Sequence, residues 1–113
     1  MKKILILGAG RSTAALIDYL SIEGKRRDWQ IQVVDADATI IRQYESRYAN
    51  VEAAQLDIFD VEAREKLMQP AALIISMLPA RFHIHVAESC IKLRKHLLTA
   101  SYVDDAVHQL EAQ

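Results

Sequence analysis

Apolar and polar positions along this chain switch between two periods. Short runs that are apolar at every position or every second one alternate with longer stretches that are apolar every third or fourth. Ile4 to Leu7 is uninterrupted and predicts a strand covered on both faces. Ala14, Leu16, Ile17 and Leu20 then recur at helical spacing, with Gly24 as the stop and Lys25-Arg26-Arg27-Asp28 as a solvated loop. Trp29 to Val34 predicts a second strand, with Trp29, Ile31 and Val33 alternating against Gln30 and Gln32. Thr39 to Tyr48 predicts a helix with Ile40, Ile41, Tyr44 and Tyr48 on one side. Val51 to Leu56 predicts a third strand, Val61 to Met68 a helix capped by Asp60, and Ala71 to Met77 a fourth strand. Phe82 to Leu93 is an amphipathic helix, His96 to Ala100 a short fifth strand, and Asp104 to Glu111 a last helix.

Strand then helix, repeated with short connections, predicts an α/β fold with a doubly wound parallel sheet, the Rossmann arrangement. Right-handed crossovers place its five strands in the order 3-2-1-4-5, with the switch point between the first and fourth. Both of those strands end unusually. One leaves through Gly8-Ala9-Gly10, and the other breaks at Ser76-Met77-Leu78-Pro79, where proline cannot continue a central ladder. The two exits are expected to open on one crevice at the carboxyl edge of the sheet.

That crevice suits a dinucleotide. Gly8 allows a sharp turn off the strand, Gly10 lets a pyrophosphate approach the backbone, and the N–H groups and dipole of the next helix favour its negative charge. Arg11 follows, and Ser12 and Thr13 offer hydroxyls to phosphate oxygens. Thr13 stands where the fingerprint has its third glycine, so Gly-x-Gly-x-x-Thr taken alone also reads as an ordinary strand-to-helix turn.

The turn Asp35-Ala36-Asp37 ends the second strand. Asp35 lies where such folds place the acid that binds the adenosine ribose hydroxyls, ~20 residues past the glycines. A carboxylate there would repel a 2′-phosphate, which favours NAD, with NADP the other possibility. Both acids also read as helix caps; Asp37 fits that role, and Asp35 precedes the cap position. Asp57, after the third strand, is placed to accept from an adenine amino group with Ile58 over the ring, or to serve as a plain turn residue.

A chain of 113 residues, 51% hydrophobic and 26% charged, is one ordinary globular domain. A formal net charge of −1 gives no general attraction to nucleic acid or to anionic lipid. The single cysteine, Cys90, excludes an internal disulfide and reads as an inert core thiol in a reducing compartment. The apolar run after Met1-Lys2-Lys3 is too short for a signal peptide, and no segment is long enough to span a membrane, so a cytoplasmic protein is expected. His83 and His85, two residues apart on a helix, point to nearly opposite sides, so no metal site is expected. No serine, histidine and acid are ordered for nucleophilic catalysis, and no internal repeat is present. A homo-oligomer is compatible with these features.

The residues resemble the saccharopine dehydrogenases and their saccharopine-reductase-like relatives. The resemblance runs through Leu7-Gly8-Ala9-Gly10-Arg11-Ser12, Leu56-Asp57-Ile58, Ile75 to Ala80 with His83 shortly after, and Lys95 to Asp105. It implies that Gly8, Gly10, Arg11 and Ser12 hold the pyrophosphate, Asp35 the ribose, and Asp57 with Ile58 the adenine. It further implies that Ser76 to Pro79 line the nicotinamide-side ribose and that Ser101 and Tyr102 border the reacting carbon. Family enzymes transfer hydride between a nicotinamide and the C–N bond of saccharopine, a glutamate-linked lysine conjugate.

In such enzymes the chain continues past the equivalent of Ser101-Tyr102 into a substrate domain, and hydride transfer needs the reacting carbons held ~3–3.5 Å apart. The expectation is a cofactor-binding domain, a fragment or a short relative, with no catalytic residue of its own and silent until an amino-acid-derived substrate is clamped by further chain. Two alternatives remain at this level. One is a module that senses NAD or another adenine nucleotide, as in the gating domains of potassium transporters. The other is a degenerate domain that serves as an interaction surface.

Overall fold

The computed structural model describes residues 2–9, 13–44 and 47–99. Gly10, Arg11, Ser12, Ser101, Tyr102 and the helix expected over Asp104 to Glu111 lie outside the described residues. The described elements are β1 (Lys2–Leu7), α1 (Ala14–Arg27), β2 (Trp29–Asp35), α2 (Ala38–Tyr44), β3 (Val51–Gln55), α3 (Val61–Met68), β4 (Leu73–Ser76), α4 (Ala80–Leu93) and β5 (Leu97–Thr99). All strand pairs are parallel and the order is β3-β2-β1-β4-β5, as the alternation of elements predicts.

The apolar strands are divided between two cores. Ile4 and Ile6 of β1 join Ile31, Val33 and Ile75 under Leu16, Ile17 and Leu20 of α1 and Tyr44 of α2. Leu5 and Leu7 point the other way and join Val34 and Ile74 against Met68 of α3 and Val86 and Cys90 of α4. Side-chain alternation along a strand sends neighbours to opposite faces, so a strand apolar at every position needs helices on both. Gln32, the polar partner in the β2 alternation, is buried, because its face of β2 is the one covered by the second core. Cys90 is buried there, and that burial raises the pKa of its thiol above the ordinary value.

Strand and helix limits shift by one or two residues at several places, and the ends of two helices differ for reasons the packing shows. Gly24 does not end α1; the helix runs to Arg27 and stops at Asp28, which takes the left-handed conformation at φ 57°. Gly24 is required for space instead, since a Cβ there would lie 2.7 Å from Asn50 Nδ2 and 3.1 Å from the Trp29 carbonyl. Lys25, Arg26 and Arg27 therefore occupy the last turn of α1, where the helix dipole favours cations, and Arg26 and Arg27 both pair with Glu23. The described helix α2 spans Ala38–Tyr44, and Tyr48, expected on it, lies in a bend. Tyr48 packs against the first core and donates its hydroxyl to Asp18 of α1 at 3.0 Å.

Candidate functional site

The strand ends finish level with one another. Gly8 N–H donates to the Val34 carbonyl at 2.8 Å, Leu56 N–H to Asp35 at 2.9 Å, and Met77 N–H to Leu7 at 2.8 Å. Each chain segment leaves the sheet only after this shared row, so the loops following β1, β2, β3 and β4 all start from one edge.

Gly8 turns away with φ 98°, a conformation glycine adopts freely. A Cβ at Gly8 would meet the Met77 carbonyl carbon and oxygen at 3.2 Å and Leu78 Cδ2 at 3.3 Å. The glycine-built and proline-broken exits are thus in contact at the switch point. Beside that contact lies a cavity of about 290 Å³ lined by Gly8, Asp35 and Ala36, by Asp57, Ile58 and Phe59, and by Leu78, Pro79 and Phe82. It is near the lower end of small-ligand pockets, ~300–1,000 Å³, a size for a base and ribose rather than a whole dinucleotide.

Asp35 is the polar hinge of this cavity. Its Oδ2 accepts from Ala9 N–H at 2.8 Å and its Oδ1 from Asp37 N–H at 2.8 Å. Asp37 caps α2, accepting from Thr39 N–H at 2.9 Å and Ile40 N–H at 3.4 Å. The Ala36 carbonyl between them accepts from Gln55 Nε2 at 3.0 Å. Asp57 Oδ1 accepts from Phe59 N–H at 2.9 Å, and Asp60 caps α3 through Ala63 N–H at 3.1 Å. The Leu78 carbonyl accepts from His83 Nε2 at 2.8 Å, which fastens the β4 exit to α4. Among the described residues, no group of three or more histidine, cysteine or acidic side chains is gathered to hold a metal.

Of the residues expected from sequence, Gly8, Asp35, Ala36, Asp57, Ile58, Leu78 and Pro79 share the cavity. Ala9 and Ser76 are buried at 2% and 0% exposure, Met77 lies behind the Gly8 turn, and Asp37 is spent on the cap. Thr13 precedes α1 at its cap position with 1% exposure and no side-chain cap bond. The hydroxyls of Thr13 and Ser76 are both buried without a hydrogen-bond partner.

Sequence reasoning missed Phe59 and Phe82. Phe59 is 56% exposed and meets Phe82 and His85 edge-on, each with ring centroids 5.4 Å away. The available signal was a large apolar residue directly after Asp57-Ile58, in a turn that has no core to fill.

The family model described as Saccharopine dehydrogenase NADP binding domain matches residues 4–113. The chain belongs to that family. The chain is 35% identical, over 97% of its length, to "Alpha-aminoadipic semialdehyde synthase, mitochondrial" of Mus musculus. It is 32% identical, over 98% of its length, to "Saccharopine dehydrogenase [NADP(+), L-glutamate-forming]" of Schizosaccharomyces pombe. It spans 12% of the first of these relatives and 24% of the second. Among solved structures, apo saccharopine dehydrogenase (L-Glu forming) from Saccharomyces cerevisiae superposes with a TM-score of 0.78 at 26% identity, over 97% of this chain and 24% of that one. Membership in this family makes the chain a nicotinamide-dinucleotide domain of oxidoreductase type. Because one relative is designated mitochondrial, membership does not by itself imply the cytoplasm. Among the described residues no helix is long and apolar enough to cross a membrane.

Proposed function

We propose that residues 1–113 form the cofactor domain of a saccharopine-dehydrogenase-type enzyme, with NADP as the cofactor and the adenosine end seated in the Asp35, Asp57 and Leu78 cavity. The observation that carries the proposal is the contact between the two strand exits, with Gly8 at φ 98° and space there for no side chain. Such a bare backbone beside a helix start suits a pyrophosphate, and the unpartnered Thr13 hydroxyl is a buried polar group of the kind a phosphate oxygen would satisfy. The segment Gly8 to Thr13 would hold the pyrophosphate, Asp35 and Ala36 the ribose, and Asp57 and Ile58 the base. Ser76 to Pro79, Ser101 and Tyr102 would face the nicotinamide half.

The family description and the fungal relatives' names favour NADP over the NAD that Asp35 suggests. The Asp35 carboxylate is compatible with that choice, because it already accepts two backbone N–H bonds inside the loop. Those donors offset its charge, so its repulsion of a 2′-phosphate is weaker than that of a free acid.

When bound, the nicotinamide supplies a hydride acceptor or donor. The chain's own residues bind and orient it, and the substrate, an amino-acid-derived secondary amine, would be clamped by further chain. That division agrees with the small share of each relative that the chain spans. Family membership supports this reading over a sensing module or an interaction surface. Calorimetric titration of the chain with NADP and NAD in parallel tests it. Tighter binding of NADP is expected. Tighter NAD binding overturns the choice of cofactor, and no binding of either overturns the proposal.

A further inference from the structure

The base wall of the cavity is held by a buried cation that neither the family resemblance nor the cofactor reading uses. Arg64, in the first turn of α3, is 4% exposed. Its Nη1 donates to the Ile58 carbonyl at 2.6 Å, while Nη2 and Nε donate to Ser89 Oγ of α4 at 2.8 and 3.3 Å. Ser89 Oγ–H donates to Glu65 Oε2 at 2.7 Å, and Lys92 donates to Glu65 Oε1 at 2.9 Å. The hydroxyl thus uses its donor and both lone pairs. A guanidinium taken out of water costs stability that an apolar side chain of like size would not. Here two hydrogen bonds to Ser89 aim it so that the third falls on a single backbone carbonyl in a ligand-cavity wall.

That carbonyl belongs to the Ile58–Phe59 peptide, whose N–H end is taken by Asp57 Oδ1 at 2.9 Å. One peptide plane is therefore gripped at both ends, by Arg64 from below and by Asp57 from within the turn. The orientation of a planar peptide sets the backbone torsions on either side of it, and with them the directions of Ile58 and Phe59, which both line the cavity. The same grip holds the Asp57 carboxylate through Oδ1, leaving Oδ2 for a ligand.

We propose that Arg64 is a positioning residue for base recognition: it fixes the Ile58–Phe59 peptide from the α3–α4 side and so presents Asp57 and Ile58 to an adenine. The inference rests on the cofactor reading above, and its test separates the two. NADP and its hypoxanthine analogue, which lacks the amino group, are titrated against the wild-type chain, Arg64→Met and Arg64→Lys, and amide hydrogen exchange is followed at Phe59.

The wild type is expected to prefer adenine by about tenfold, which is about 1.4 kcal/mol. Arg64→Met is expected to erase most of that preference and to speed Phe59 exchange, with Arg64→Lys recovering part of both. A merely structural role would weaken both dinucleotides equally and keep their ratio, and that result overturns the proposal. So does an absent preference in the wild type. If the wild type binds neither dinucleotide, the cofactor reading fails and the positioning role for adenine falls with it, whereas unchanged Phe59 exchange in Arg64→Met overturns the grip on the peptide alone.

Discussion

Ala9 N–H and Asp35 Oδ2 lie 2.8 Å apart across 26 residues of sequence. This bond joins the exit of β1 to the exit of β2, so the acid that reads as a ribose ligand is also a strut between the two loops that bound the cavity. A carboxylate has about four lone-pair positions, and two are used by Ala9 and Asp37, which leaves room for the free 3′-hydroxyl of the ribose.

Replacing Asp35 with Asn keeps the shape and loses one acceptor. The amide then points an N–H at either Ala9 or Asp37, and one of those donors is orphaned. Urea denaturation is expected to show a loss of about 1–3 kcal/mol, and calorimetry a rise in NADP affinity relative to NAD, because the charge facing the 2′-phosphate is gone. Unchanged stability would mean that the strut carries no energy.

Gly8→Ala places a methyl group against the Met77 backbone at 3.2 Å in a residue held at φ 98°. The strain and the forced retreat of the β4 exit together are expected to cost about 1–3 kcal/mol and to abolish measurable dinucleotide binding. Calorimetry alongside thermal melting checks both, and a variant that binds normally would contradict the close approach of the two exits.

Gly24→Ala opposes two effects of known size. Alanine gains about 1 kcal/mol in helix propensity over glycine. Its Cβ, however, would sit 2.7 Å from Asn50 Nδ2, which donates to the Ser21 carbonyl at 3.0 Å, and 3.1 Å from the Trp29 carbonyl. Asn50 must move and the Trp29 backbone cannot easily follow, so a lower melting temperature is expected. A higher one would show that propensity wins.

Glu65 links stability to pH. The hydrogen bond from Lys92, and after it that from Ser89, lowers the pKa of its carboxyl below the ordinary 4.5. A group whose folded pKa is depressed stabilises above its unfolded pKa and loses that contribution as pH falls through the folded one. Melting temperatures followed from about pH 6 to about pH 3 are expected to fall more steeply for the wild type than for Glu65→Gln. Parallel curves would remove Glu65 from the acid response.

The elements were legible because their causes are local. Ile4 to Leu7 and Leu73 to Ile75 are apolar without interruption, Asp60 sits one residue before α3, and Pro79 follows the end of β4, so period, cap and breaker each act within a few residues. Gly24 misled for the same reason: glycine at a helix end and glycine under a neighbouring side chain look alike until Asn50 is brought across from 26 residues away. The cavity lining was legible at Gly8, Asp35, Asp57 and Pro79, whose places at the strand ends follow from residue type and strand position. Phe59, Phe82 and Arg64 were not, since their part in the cavity depends on how α3 and α4 lie against the turn after β3.

The order of polar and apolar residues, by itself, determined a five-stranded doubly wound sheet and the edge on which a ligand would sit, because hydrophobic periodicity and chain handedness leave few other arrangements. Only the tertiary structure decided which polar groups remain for that ligand. Asp35 and Asp57 each take a local N–H, from Asp37 and Phe59 two residues on, but Ala9 meets Asp35 only once the strands align, and Ser89 aims Arg64 at Ile58 only once α3 packs on α4. Hydrogen bonds made at a distance in sequence have no period to betray them.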